Sequence, residues 1–154
     1  MHARAGAEAH MGSFPLDLDV VDRTTARQRL ADARVGRLAT LTPDARPHIV
    51  PCCFALHNQT AYSAVDAKPK STLNLRRLQN LKANAPCSLL VDHYNEDWTA
   101  LWWVRIDGMG RVIEVGDERE RALNLLKTKY EQYREMPPPG PVVALDIESW
   151  RMWP

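Results

Sequence analysis

The sequence predicts an α+β domain in which six antiparallel strands form a small closed or half-closed barrel with flanking helices. Three observations carry this. Consecutive apolar runs are separated by short turn-forming stretches, which makes sequence neighbours antiparallel partners. Only three segments have helical spacing, and one of them splits the strand order. The long strand-like stretch Ala100 to Val115 holds Gly108 and Gly110, where a bend can close a barrel and so remove sheet edges. The chain's 154 residues suit one domain, because two cores would each lie near the size limit of stability. A composition of 45% apolar and 25% charged residues excludes disordered, collagen-like and coiled-coil classes.

Residues 1–20 are small and polar, with Gly6, Gly12 and Pro15 interspersed. They read as a flexible arm ahead of a domain spanning 21–154. Val21, Ala26, Leu30 and Ala33 recur at near-helical spacing, so a helix is predicted over 22–34, capped by Asp22 or Thr24 and ended by Gly36. Strands are expected at 35–41, 47–56 and 60–65, joined by Thr42-Pro43-Asp44-Ala45 and His57-Asn58-Gln59. Leu75, Leu78 and Leu81 line one side of a helix over 68–82, with Ser71 or Thr72 at its start and Pro86 closing it. A buried strand at 87–91 and a polar loop over 92–97 lead to the long bent strand at 100–115. Asp117 and Glu120 have capping-box spacing, and Ala122, Leu125, Leu126 and Tyr130 extend that helix to about residue 134 before Pro137-Pro138-Pro139-Gly140. A last strand covers 142–147.

A formal net charge of +1 removes the global electrostatic argument for a nucleic-acid partner. Gly108-Met109-Gly110 is followed by Ile113 where a dinucleotide fingerprint needs its third glycine, and no phosphate loop, nucleophile elbow or zincin helix occurs. Cys52, Cys53 and Cys87 do not form a secreted disulfide framework, which fits a reducing cytoplasm. No run approaches the ~18 apolar residues of a membrane span, so no membrane partner is expected.

Four features bear on chemistry. Residues 68–82 hold Lys68, Lys70, Arg76, Arg77 and Lys82 with no acid among them. The two lysines, the hydroxyls of Ser71 and Thr72 and the free N–H groups of a helix start are suited to one phosphate. The same pattern also fits a solvated basic face. The run Asp92-His93-Tyr94-Asn95-Glu96-Asp97 has metal-ligand residue types at undistinguished spacing, and no metal is expected. Cys52 and Cys53 sit side by side in a strand and so face opposite ways, as small apolar residues. In Leu101-Trp102-Trp103-Val104-Arg105-Ile106-Asp107, alternation puts Trp103, Arg105 and Asp107 on one face. That face suits a planar ring, a dimer interface, or an Arg105–Asp107 ion pair within the fold.

The segments V-G-R-L-A-T-L-T-P-D-A-R-P-H-I-V-P (35–51), A-Y-S (61–63), K-P-K-S-T, N-L-R-R-L (74–78), S-L-L-V-D-H-Y-N-E-D-W (88–98) and L-W-W-V-R-I-D-G (101–108) together resemble the pyridoxamine 5′-phosphate oxidase-like split-barrel superfamily. D-H-Y-x-E-D-W with W-W-V-R-x-D-G is similar to its deazaflavin (coenzyme F-420)-dependent oxidoreductases of actinobacteria. The resemblance implies a six-stranded antiparallel split β-barrel, the FMN-binding split barrel, forming a homodimer with the cofactor at the subunit interface. It implies that Val50, Pro51, Tyr62 and Ser63 lie against the ring and that Lys68, Lys70, Ser71 and Thr72 grip the cofactor phosphate. Trp103, Arg105 and Trp150 become candidates for interface or cofactor contacts. Ala45 replaces the glycine usual in that family's first hairpin turn.

The implied function is hydride transfer between the F-420 ring and a small organic acceptor, with no catalytic side chain required because the cofactor carries the chemistry. Arg76 and Arg77, with Lys82, would then meet the polyanionic tail of F-420. FMN is the alternative cofactor, and a non-catalytic F-420 carrier the alternative function.

Overall fold

The computed structural model describes residues 20–66 and 76–154. Along the chain, helix α1 (Val20–Asp32) precedes strands β1 (Gly36–Leu41), β2 (Pro47–Cys52), β3 (Ala55–His57) and β4 (Thr60–Ala64). Helix α2 (Arg76–Ala83), β5 (Pro86–His93), a 3₁₀ turn (Trp98–Ala100) and β6 (Trp102–Ile113) follow. Helices α3 (Asp117–Lys129) and α4 (Glu131–Glu135) lead to β7 (Val142–Trp153). All pairings are antiparallel, in the order β2-β1-β5-β6-β7-β4-β3. Leu38 of β1 and Ala61 of β4 lie far apart in that order yet share one buried cluster with Leu89, Val104, Ile106 and Leu145. The sheet is therefore curled around its apolar face, as an α+β split barrel. Ala26 and Leu30 of α1 and Leu78 and Leu81 of α2 complete this core. A second core lies outside the barrel, where Ala122, Leu123 and Leu126 of α3 cover Tyr62, Ala64, Val142 and Ala144. Period-two alternation on β4 and β7 feeds both cores at once.

Among the described residues the sheet has seven strands, not six. The strand expected over 47–56 breaks at Cys53-Phe54, so that β2 pairs with β1 while β3 pairs with β4 at the other end of the sheet. Tyr130 fixes the break. Its hydroxyl accepts from the Phe54 N–H at 3.0 Å and faces the carbonyls of Phe54 (3.0 Å) and Arg34 (2.9 Å) as acceptors. Reaching that point takes Tyr130 out of helical geometry (φ −121°, ψ 117°), so the helix predicted to run to 134 divides into α3 and α4.

Other boundaries move for local reasons. Helix α1 ends at Asp32, and Gly36 opens β1 instead of capping the helix. The capping box is not formed: Gly116 (φ 105°) is the N-cap, and Asp117, Glu118 and Glu120 occupy the first turn, where their charge meets the helix dipole. Strand β7 runs to Trp153, past the expected 147, because β6 pairs with it along its whole length. The bend predicted at the glycines is present as a register shift at Asp107/Gly108. A Cβ on Gly108 would stand 1.9 Å from the Asp146 carbonyl oxygen. The first hairpin closes despite Ala45, which takes a left-handed conformation (φ 62°) while Thr42 and Arg46 bond across it at 2.9 Å.

Candidate functional site

Two strand ends and one helix meet near Cys52. Cys52 ends β2 facing the barrel interior, and Ser63 of β4, 6% exposed, lines the same small hollow with Leu38, Phe54, Ala61 and Leu145. Arg77, in the first turn of α2, is half-buried and close enough to act on the Cys52 thiol. Burial pushes that thiol up, and the Ser63 hydroxyl and Arg77 guanidinium pull the other way. Although Ser63 acts on Cys52, no hydrogen bond of sound geometry reaches its Oγ, which is buried without a partner among the described residues. Neither Arg76 nor Arg77 forms an ion pair among the described residues. The corner thus offers a half-buried cation and a buried hydroxyl, both uncommitted, which is what an anionic group requires.

The other expected site residues are distributed as follows. Val50 is half-buried and packs against the barrel core, while Pro51 is exposed beside it on β2. Tyr62 turns away from Ser63 to the outer face and donates to Glu118 Oε1 at 2.9 Å; burial and that carboxylate both raise its phenol. Arg76 is exposed. Lys82, expected to extend the positive field, is paired with Glu114 at 2.9 Å. Trp150 is 3% exposed and belongs to the barrel core. Lys68, Lys70, Ser71 and Thr72, with the first half of the helix predicted over 68–82, lie outside the described residues, as does the arm up to residue 19.

Strand β6 alternates as its sequence demands, with Val104 and Ile106 buried and Trp103, Arg105 and Asp107 on the opposite face. Arg105 Nε meets Asp107 Oδ1 at 2.9 Å, and Ser88 donates to the same carboxylate. Beside them lies an open hollow of about 460 Å³ lined by Ala39, Ile49, Ser88, Asp107 and Met109. At the other end of β6, Trp102, Trp103 and Trp153 join His93 and Tyr94 around a groove of about 300 Å³. His93 stacks on Trp102 with ring centroids 5.9 Å apart and planes 20° from parallel. The sequence places these residues in separate motifs, and only the β5–β6–β7 register, with His93 opposite Trp102 and Trp103 opposite Trp153, brings them together. Among the described residues no group of three or more His, Cys, Asp or Glu side chains is placed to hold a metal ion. No helix among them is long and apolar enough to cross a membrane.

Residues 23–154 match the model of the family described as pyridoxamine 5′-phosphate oxidase. No curated protein matches the sequence. Among solved structures, a conserved hypothetical protein of Mycobacterium tuberculosis, Rv2991, is similar with a TM-score of 0.70 at 19% identity, over 92% of this chain and 89% of that one. A heme-binding protein from Mycobacterium smegmatis has a TM-score of 0.68 at 20% identity over 83% of this chain, which spans about half (52%) of that protein. HutZ, the heme storage protein from Vibrio cholerae, has a TM-score of 0.61 at 13% identity, over 89% and 94% of the two chains. At these identities the likeness is one of fold.

Proposed function

This chain belongs to the pyridoxamine 5′-phosphate oxidase family, and from that premise we propose a cytoplasmic oxidoreductase that passes a hydride between a phosphate-bearing tricyclic cofactor and a small organic acceptor. In this proposal the cofactor is coenzyme F-420, with FMN as the alternative. The observation that carries the reading is the corner at Cys52, where Arg77 and Ser63 present a cation and a hydroxyl without partners among the described residues. Lys68, Lys70, Ser71 and Thr72 come directly before α2 in sequence and are proposed to grip the phosphate with Arg77. Exposed Arg76 then meets the charged tail that F-420 has and FMN lacks. When bound, the cofactor supplies the hydride chemistry, and the chain supplies charge, orientation and a dry wall. Val50, half-buried on β2, is that wall's apolar part.

The proposal includes a homodimer with the cofactor at its interface. Asp107 and Met109 of β6 line an open hollow, and Ile49 at its edge is 64% exposed. An apolar surface of this kind is suited to a second copy. A second reading is favoured by the aromatic groove, where the His93 imidazole stacks on Trp102 and has no hydrogen-bond partner among the described residues. Imidazole and flat aromatic walls suit heme, which two proteins of similar fold are named for.

The deciding experiment offers reduced F-420 and a quinone or enone to the purified protein and follows cofactor oxidation by absorbance. Oxidation above the protein-free rate, lost in Arg77→Ala, supports the oxidoreductase. Binding of F-420 without turnover makes it a carrier, and binding of hemin alone, abolished in His93→Ala, promotes the second reading.

A further inference from the structure

Beside that corner, one half-buried lysine has its amine enclosed with nothing among the described residues to accept its protons. Lys129, the last residue of α3, places Nζ 4.1 Å from the centroid of the Phe54 ring and 5.4 Å from that of Tyr130. Nζ is closed off from water and has no hydrogen-bond partner among the described residues. The neighbouring acceptors are engaged elsewhere. Both oxygens of Asp32 take hydrogen bonds from Gln28 at 2.9 Å, and the Tyr130 hydroxyl serves the main chain of Phe54 and Arg34. The thiols of Cys52 and Cys53 and the Asp32 carboxylate favour the charged amine, though more weakly than burial opposes it. The guanidinium of Arg34 stands 4.8 Å over the same Tyr130 ring as a second cation. Burial first, and Arg34 second, pull the amine down to about 8. Near neutral pH more of this amine is free base than of an exposed lysine's.

We propose that Lys129 is a carbamate site: its neutral amine adds carbon dioxide reversibly, and the carbamate pairs with Arg34. The nitrogen lone pair forms an N–C bond to carbon dioxide, one C=O π pair moves onto oxygen, and the nitrogen releases one proton to water. No electron is transferred and no other reactant is needed. Three features favour this reagent at this position. Carbon dioxide is small and apolar, which suits an amine set against the rings of Phe54 and Tyr130. The product reverses the charge, which converts repulsion between Lys129 and Arg34 into attraction. A negative group is also repelled by the face of the Phe54 ring, so the carbamate leaves that ring for Arg34. Because Phe54 marks the break between β2 and β3, the modification acts where the chain crosses from one end of the sheet to the other.

The test equilibrates the full-length protein with carbon-13 bicarbonate at about pH 7.5, traps carbamates by ethylation with triethyloxonium, and maps labelled lysines by peptide mass spectrometry. The expected result is an ethyl carbamate on Lys129 that rises with dissolved carbon dioxide and exceeds that on Lys82 or Lys127. In Arg34→Ala, whose near-UV circular dichroism reports whether the fold is intact, trapping at Lys129 falls about fivefold, as loss of one partly exposed ion pair allows. Lys129→Met carries no label in that peptide. No label on Lys129, equal label on all three lysines, or undiminished trapping in folded Arg34→Ala overturns the proposal.

Discussion

Ala45 is a left-handed residue (φ 62°) in a turn whose flanking bonds are all made. The strain of a Cβ in that region is on the order of 1 kcal/mol, partly offset by the freedom glycine gains in the unfolded chain. Ala45→Gly is therefore expected to raise stability by about 0.5–1 kcal/mol, read as a higher urea midpoint at unchanged slope. Gly108→Ala acts in the opposite direction. The Asp146 carbonyl lies 1.9 Å from the added Cβ, so β6 and β7 must separate at a cost of about 3 kcal/mol or more, visible as a lowered thermal midpoint. Arg111 links three elements, meeting Glu118 at 2.8 Å and Asp146 at 2.5 Å. Its guanidinium holds both carboxyls below the usual carboxylate range. Depressed folded values stabilise above the unfolded pKa and are lost as pH falls through the folded one, so this contribution is present above about pH 4–5 and fades below it. The thermal midpoint of wild type should fall more steeply than that of Arg111→Met between pH 5 and 3. Parallel curves would mean that these pairs contribute nothing measurable.

Elements whose pattern is self-contained were legible in the sequence, and those decided by a distant partner were not. The period-two alternation of Trp102 to Asp107 fixes both faces of β6, and Gly108 marks its bend before any contact is known. The stretch Pro47 to Leu56, in contrast, is almost uniformly apolar, and nothing within it indicates a break at Cys53-Phe54. That break is imposed from 76 residues away by the Tyr130 hydroxyl, which also cuts its own helix in two. The sequence likewise made Asp117 and Glu120 look like a cap because it could not reveal the backbone of Gly116. Of the residues the sequence offers for a site, Ser63 and Arg77 both lie near Cys52, whereas Tyr62, next to Ser63, faces the other core. The role of Cys52 between them depended on the broken strand. Tyr130→Phe tests the element-scale account: the buried Phe54 N–H loses its acceptor, which should cost about 1–3 kcal/mol. Hydrogen exchange at Phe54 should quicken before exchange in β6 does. Unchanged protection there would mean the break is held by packing alone.

At the scale of the molecule, α1 and α2 pack into the first core and α3 covers the β3–β4–β7 side, while the hollow beside Asp107, Met109 and Ile49 stays open. Sedimentation at micromolar concentration should give a dimer, and Ile49→Asp should shift it toward the 17.5 kDa monomer. A single monomeric species in wild type would remove the shared-site arrangement. The central claim is that the corner formed by Arg77 and Ser63 holds the anionic part of a tricyclic redox cofactor. A charge-assisted bond is worth ~1.5–3 kcal/mol, so its loss is readable as a change in affinity of tenfold or more. The most direct measurement is a fluorescence titration of wild type, Arg77→Ala and Ser63→Ala with F-420, repeated with FMN, at low and high salt. The account predicts saturable binding of F-420 by wild type, tighter than FMN at low salt and weakened as salt screens the charge. It also predicts at least a tenfold loss in Arg77→Ala and a smaller loss in Ser63→Ala. Equal affinity for either cofactor in wild type and in folded Arg77→Ala would contradict it.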